Sequence, residues 1–179
     1  MGHTRLLDGS YRHRLDDKDR LTIPQAFRFE LGRRFYITRG HDQCLYVLTE
    51  DQYLALASVI AQAVQVYTSR QSGSAEQDAV AVPGSLTPDP YLHARAMFND
   101  HARVLQRHFF GDSFEVTPDA QGRILIPETL RQYAGIAKEV MIVGVGDRLE
   151  LWSPERWASE MDGSVEKLRT AAEGMGLLR

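Results

Sequence analysis

Apolar residues recur along the chain in two regimes: short runs at strand spacing and longer stretches at helical spacing. Leu7 to His13, Leu21 to Ile23, Phe35 to Thr38 and Leu45 to Leu48 are too short for helices and read as strands. Pro24 to Leu31 reads as a short helix, with Ala26, Phe27 and Leu31 spaced for an inward face and Gly32 as its stop. Gly40 marks the turn between the third and fourth strands. From Glu50 to about Thr68, Tyr53, Ala57, Ile60, Val64 and Tyr67 fall on one side of a helix. Residues 69 to 90 then lose periodicity and turn to Ser, Gly, Gln, Ala and three prolines, which predicts a flexible loop. Tyr91 to Phe110 resumes helical spacing through Ala94, Met97 or Phe98, Ala102, Leu105 and Phe109. These two helices are expected to pair as a hairpin with the loop at its tip. Strands at 113–117, 123–126, 139–145 and 149–152 follow, with a short helix from Pro127 to Tyr133. A last helix runs from Pro154 through about Ala172, anchored by Trp157, before a fraying tail.

The second set of strands repeats the first. Leu15 to Pro24 reads LDDKDRLTIP and Pro118 to Pro127 reads PDAQGRILIP. A shift of 103 places Asp16 on Asp119, Arg20 on Arg123, Ile23 on Ile126 and Pro24 on Pro127. It also matches Ser10 with Ser113, Arg28 with Arg131 and Gly32 with Gly135. Seven identities across residues 7 to 32 exceed the about one or two that ordinary composition gives by chance. Beyond Gly32 the shift becomes 104, and LYVLTEDQY (45–53) falls on LELWSPERW (149–157). The chain is an internal duplication. In each copy an acid-to-basic turn leads into a short apolar strand, and proline opens a helix where its missing N–H costs nothing. Gly122 takes a positive φ freely in its turn, whereas Asp19, its counterpart, does so only with strain. Asp16 with Arg20, and Asp119 with Arg123, are spaced to clamp their turns.

Asp-x-Lys/Gln-Gly-Arg, a strand, Ile-Pro and an amphipathic helix resemble the swapped-hairpin fold of AbrB-type bacterial DNA-binding proteins. Two copies in one chain, each ending in an aromatic after an acidic turn (Tyr53, Trp157), resemble the MraZ family of transcription regulators over roughly 5–68 and 92–158. Asp19 in place of the family glycine, and the long segment between repeats, depart from that pattern. The resemblance implies an α+β fold in which the duplicated hairpin and short-helix repeats form one AbrB-like swapped-hairpin β-barrel. A helical hairpin insertion and a C-terminal helix complete it. The expected divisions are 7–53 for the first repeat, 54–109 for the helical hairpin with its loop at about 69–90, 113–157 for the second repeat, and 158–179 for the helix and tail. The implied function is sequence-specific binding to tandem boxes in double-stranded promoter DNA by a ring-like homo-oligomer. The genes regulated would be a division and cell-wall cluster. Arg14, Lys18 and Arg20 are then the leading DNA contacts and Arg5 and Arg12 the phosphate partners. Arg123 is carried over from the matching motif into more acidic surroundings.

Charge sharpens that expectation. The net charge of −3 conceals a first forty residues with nine basic against five acidic side chains, while residues 110–179 carry eight against twelve. Phosphate binding needs a local basic face, so the asymmetry points to the first repeat. A single cysteine, Cys44, excludes an intrachain disulfide, and no apolar run approaches the roughly 20 residues of a spanning helix. These features favour a cytoplasmic protein with no membrane partner, and the resemblance implies that it is nucleoid-associated. The six histidines lack partner cysteines and metal-ligand spacing, and Gly144-Val145-Gly146 lacks the rest of a dinucleotide fingerprint. No metal, cofactor, small-molecule substrate or catalytic residue is therefore expected. Two alternatives stand beside this reading: an antitoxin-like protein of the same fold that neutralises a toxin, and a paired-aspartate hydrolase built on Asp16 and Asp119. Against the second, an arginine beside each carboxylate works against holding a proton there.

Overall fold

The computed structural model describes residues 6–71 and 100–177. The first repeat forms β1 (Leu7–Arg14), β2 (Arg20–Thr22), α1 (Gln25–Leu31), β3 (Phe35–Arg39) and β4 (Leu45–Leu48). Then come α2 (Glu50–Gln71) and α3 (Asp100–Phe110). The second repeat forms β5 (Phe114–Val116), β6 (Arg123–Leu125), α4 (Glu128–Ala134), β7 (Glu139–Gly146) and β8 (Leu149–Trp152), followed by α5 (Pro154–Met161) and α6 (Ser164–Gly174).

Six strands make one antiparallel sheet in the order β1-β7-β8-β4-β3-β5, while β2 and β6 pair as a separate ribbon. The two repeats lend each other their first strands: β1 pairs with β7, and β5 with β3. Equivalent strands meet at two centres of local symmetry. Tyr46 faces Glu150 where β4 meets β8, and Leu21 faces Ile124 where β2 meets β6. The first strands match less simply than the turns. Phe35 faces Val116, while its counterpart Glu139 faces Arg14, so β1 and β5 superpose one residue short of the shift that aligns the turns.

Successive strand residues point to opposite faces. Phe35, Ile37, Leu45, Val47, Val140, Ile142, Leu149 and Leu151 turn inward onto Leu21, Ile23, Phe27, Ile124, Ile126 and Leu130 of the ribbon and short helices. The opposite face of β4 and β8 is covered as well, where Tyr46, Leu48 and Trp152 pack with Ile60 of α2 and Phe109 of α3. Both central strands are buried at every position, which is why β4 reads as a continuous apolar run. Glu150 is the exception in β8, and it is fully engaged: Arg148 donates to it at 2.9 Å and the Trp152 indole at 3.1 Å. The Arg148 guanidinium in turn lies 4.6 Å over the Tyr46 ring, so the buried acid has a desolvated cation beside it. Helix starts follow the sequence. Thr49 and Gln52 exchange side-chain and backbone bonds at 2.7 and 3.3 Å as a capping box, and Ser153 accepts from the Arg156 N–H ahead of Pro154.

Five expectations need correction. The closed barrel is not formed among the described residues: the sheet ends at β1 and β5, because the Asp16–Arg20 and Asp119–Arg123 turns divert the chain into the separate β2–β6 ribbon. The last helix is two helices. Asp162 is extended and Gly163 left-handed (φ +68°), a pair that interrupts helical propagation at little cost. Ala26 is exposed, since a helix of two turns presents one stripe and Phe27 with Leu31 fill it. Leu105 is likewise on the exposed side of α3, whose buried stripe is Ala102 and Phe109. Helix α2 also continues through Gln71, into the segment expected to be loop. Residues 72–99, with the rest of that loop and the first half of the second helix, lie outside the described residues, as do the side chains of Val64 and Tyr67.

Candidate nucleic-acid interface

The acid-to-basic turns meet at the β2–β6 ribbon. The Asp16 carboxylate accepts the Lys18 and Arg20 backbone N–H groups, each at 2.9 Å, and the Arg20 guanidinium through Nε at 2.8 Å and a terminal nitrogen at 2.7 Å. Asp119 accepts from Gln121 and Arg123 at 2.9 and 3.0 Å, and from the Arg123 guanidinium at 2.7 Å on both nitrogens. Each arginine also leans toward the other repeat's acid, at 3.6 Å from Arg20 to Asp119 and 3.8 Å from Arg123 to Asp16. The expected clamps are therefore present, and they are cross-linked into a square of alternating charge.

The paired arginine, first through its side chain and then through its own backbone N–H, holds each carboxyl down at about 2. Both aspartates are thus ionised together, the reverse of a carboxylate pair that shares a proton. A folded pKa below the unfolded value near 3.8 gives stability that is complete above that value and is lost as pH falls toward 2. Thermal melting between pH 5 and pH 2 should show the wild type losing stability across this window. An Asp16→Asn/Asp119→Asn variant should start lower and fall less; parallel curves would show that the square contributes nothing.

The crowns of the turns differ. Asp19 and Gly122 both adopt positive φ, at +56° and +76°. Gly122 lies under the Arg28 guanidinium, where a Cβ would sit 2.2 Å from Arg28 Cζ. Asp19 instead pairs with Arg131 at 3.1 Å and Lys138 at 3.2 Å. Arg28 and Arg131 are equivalent residues, each donating through Nε to the carbonyl that ends its own ribbon strand, Ile23 or Ile126. Each then crosses to the other repeat's turn.

The nominated contacts divide accordingly. Arg14 and Lys18 are exposed, and among the described residues no carboxylate pairs with either. Arg12 is exposed and pairs with Glu139. Arg20 and Arg123 are each 28% exposed and committed to the square. Arg5 lies outside the described residues. The sequence reading missed Arg28, Arg131, Lys138 and Glu139. The identity of Arg28 with Arg131 under the duplication was the available signal for the first two. Lys138 and Glu139 come to the interface only through the pairing of β1 with β7, in which Leu15 donates to the Lys138 carbonyl at 2.8 Å. Elsewhere the chemistry is quiet. The Cys44 thiol is buried, and burial pushes it up to about 12. Among the described residues there is no metal-ligating group and no helix long and apolar enough to cross a membrane.

A model of MraZ protein, a family also described as antitoxin-like, matches residues 6–70 and 109–177. The chain belongs to the MraZ family. The match leaves out 71–108. Relatives named as transcriptional regulator MraZ align over nearly the whole length. That of Caldicellulosiruptor bescii is 34% identical over 175 residues, covering 96% of this chain and all of the relative. That of Halothermothrix orenii is 34% identical over 94% of this chain and 98% of its own. The Clostridium acetobutylicum protein is 35% identical over 95% and 96% respectively. This is a family of regulators rather than enzymes, in keeping with the doubly ionised aspartates.

Proposed function

We propose that this chain is a DNA-binding transcription regulator that reads tandem promoter boxes of a division and cell-wall gene cluster as a ring-like homo-oligomer. It works in the cytoplasm at the nucleoid, by occlusion or recruitment without bond chemistry. The exchange of first strands between its repeats would be the swapped-hairpin arrangement of the AbrB type, with 54–109 as an arm between the two repeats. The observation that carries the proposal is a pair of exposed cations, Arg14 at the end of β1 and Lys18 on the turn that the Asp16 clamp holds, neither paired with a carboxylate among the described residues. Arg12, Arg20 and Arg123 would add to it by sharing themselves between carboxylate and phosphate.

So few cations on one subunit support little beyond non-specific affinity, roughly 10⁻⁴ to 10⁻⁶ M at physiological salt. Several copies on one assembly make later contacts intramolecular and add about 10²- to 10⁴-fold when the geometry matches. The test is a footprint of the purified protein on its own upstream DNA, with boxes about 10 to 10.5 base pairs apart. Inserting half a helical turn between boxes should weaken binding far more than inserting a whole turn. Arg14→Ala/Lys18→Ala should also weaken it and flatten the salt slope by about 1.8 for each engaged subunit, two phosphate contacts' worth. No footprint, or a slope unchanged by the double variant, sinks the reading. Light scattering separates it from the antitoxin alternative, which calls for a dimer rather than a ring.

A further inference from the structure

Asp19, at the left-handed position of the first turn, sits where an anion would bind. Arg131 and Lys138, both from the second repeat, converge on the Asp19 carboxylate from the first, one on each oxygen, at 3.1 and 3.2 Å. A guanidinium and an ammonium around one anionic group form the donor set that takes a phosphate. Asp19 reaches that place with its backbone at φ +56°, a region uncommon outside glycine, though more open to aspartate than to most residues. The equivalent crown has Gly122, with no side chain to offer, and the equivalent arginine, Arg28, lies over bare backbone. Nothing in the turn's own hydrogen bonding requires the acid: the Asp19 N–H donates to the Asp16 carbonyl at 3.0 Å, and the Gly122 N–H donates to the Asp119 carbonyl at 2.8 Å.

The location fits the same ligand. Lys18 precedes Asp19 in the chain, and Lys138 lies beside the end of β1, where Leu15 bonds its carbonyl and Arg14 faces Glu139. Arg14 and Lys18 thus lie close in the chain to the acid that Arg131 and Lys138 hold, with Asp17 and Glu139 as the other acids of this surface. We propose that Arg131 and Lys138 form a phosphate-binding site, that its ligand is a phosphate of the DNA backbone, and that Asp19 occupies it as an internal competitor. The inference rests on the DNA-binding reading above and extends it. It gives the second repeat a share in the interface and makes Asp19 an attenuator of affinity.

Asp19→Gly tests this without straining the turn, since glycine suits the left-handed crown as Gly122 shows, and Asp19→Asn repeats the test with the shape retained. Inorganic phosphate should raise the melting temperature of Asp19→Gly more than that of the wild type, and Arg131→Gln/Lys138→Gln in the same background should abolish the gain. On DNA, Asp19→Gly should bind roughly tenfold tighter at low salt, with a slope steeper by about 0.9 to 1.8 for each engaged subunit. A purely structural ion pair predicts the reverse: lower melting temperature, no phosphate response and weaker or unchanged binding. An unchanged phosphate response in both variants overturns the site. A phosphate response without a steeper DNA slope overturns its assignment to DNA. Failure of the wild type to bind DNA at all would instead defeat the reading in the preceding subsection, and the phosphate measurement would still decide whether the site exists.

Discussion

Phe27→Ala should destabilise the protein by about 3–5 kcal/mol, the range for emptying a buried aromatic site. Phe27 is 1% exposed on α1, packs in the inner core and meets Tyr11 edge-on at 5.3 Å between ring centres. Few groups can move into the space. The helix is only two turns long, fixed at one end by Pro24 and at the other by Gly32, and its second core residue, Leu31, already fills its own place. Its neighbour Phe29 is the control. It is 86% exposed, so Phe29→Ala should change stability by no more than about 0.5 kcal/mol. Urea unfolding at one fixed protein concentration measures both, since self-association would otherwise shift the midpoint. Equal effects from the two phenylalanines would mean that α1 does not dock through Phe27.

Gly144→Val should detach β1 from the sheet. On β7, Gly144 faces Gly9 of β1. A Cβ on residue 144 would lie 2.6 Å from the Asp8 nitrogen and the Leu7 carbonyl carbon, and 2.7 Å from the Leu7 oxygen. These are backbone atoms held in a ladder, so they cannot step aside as a side chain would. Overpacking commonly costs about 1–3 kcal/mol, and displacing an edge strand adds the burial of Leu7 to that loss. The damage reaches function by a route that touches no contact residue, because β1 carries Arg12 and Arg14 to the interface. Hydrogen exchange should show faster exchange in residues 10–14 with little change at β4 and β8, alongside weaker DNA binding. Retained protection in β1 would refute the close approach.

Much of this was legible in the sequence, for identifiable reasons. The boundaries of β4 and β8 are those expected, because β4, buried on both faces, leaves an uninterrupted apolar run, and the duplication carries that reading over to β8. The two clamps were legible because an aspartate and an arginine four residues apart across a tight turn have few other options. The duplication made Asp19 stand out against Gly122. What the sequence withheld is what depends on the exchange of strands. Lys138 reaches Asp19, and Glu139 reaches Arg12, across more than a hundred positions, and no local pattern marks either pair. The open edge of the sheet was hidden for the same reason, since β1 and β5 carry no signal for where pairing stops. The break at Gly163 was hidden too: a left-handed glycine after an extended aspartate ends one helix and starts another.

The shared strands have a consequence for how such a chain can change. Because each repeat completes the other's sheet, the molecule is in effect a dimer whose two halves have been written into one reading frame. A dimer of identical subunits must accept every substitution twice, once on each side of its axis. A fused one is released from that rule, and neighbouring positions on the two sides can be altered separately. The crowns of the two turns record such a divergence. One side has kept a glycine beneath an arginine, and the other has acquired an aspartate that draws the matching arginine into an ion pair. Drift of this kind turns a symmetric object into one with a front and a back, so a surface can be tuned on one half while the other preserves the frame that holds both.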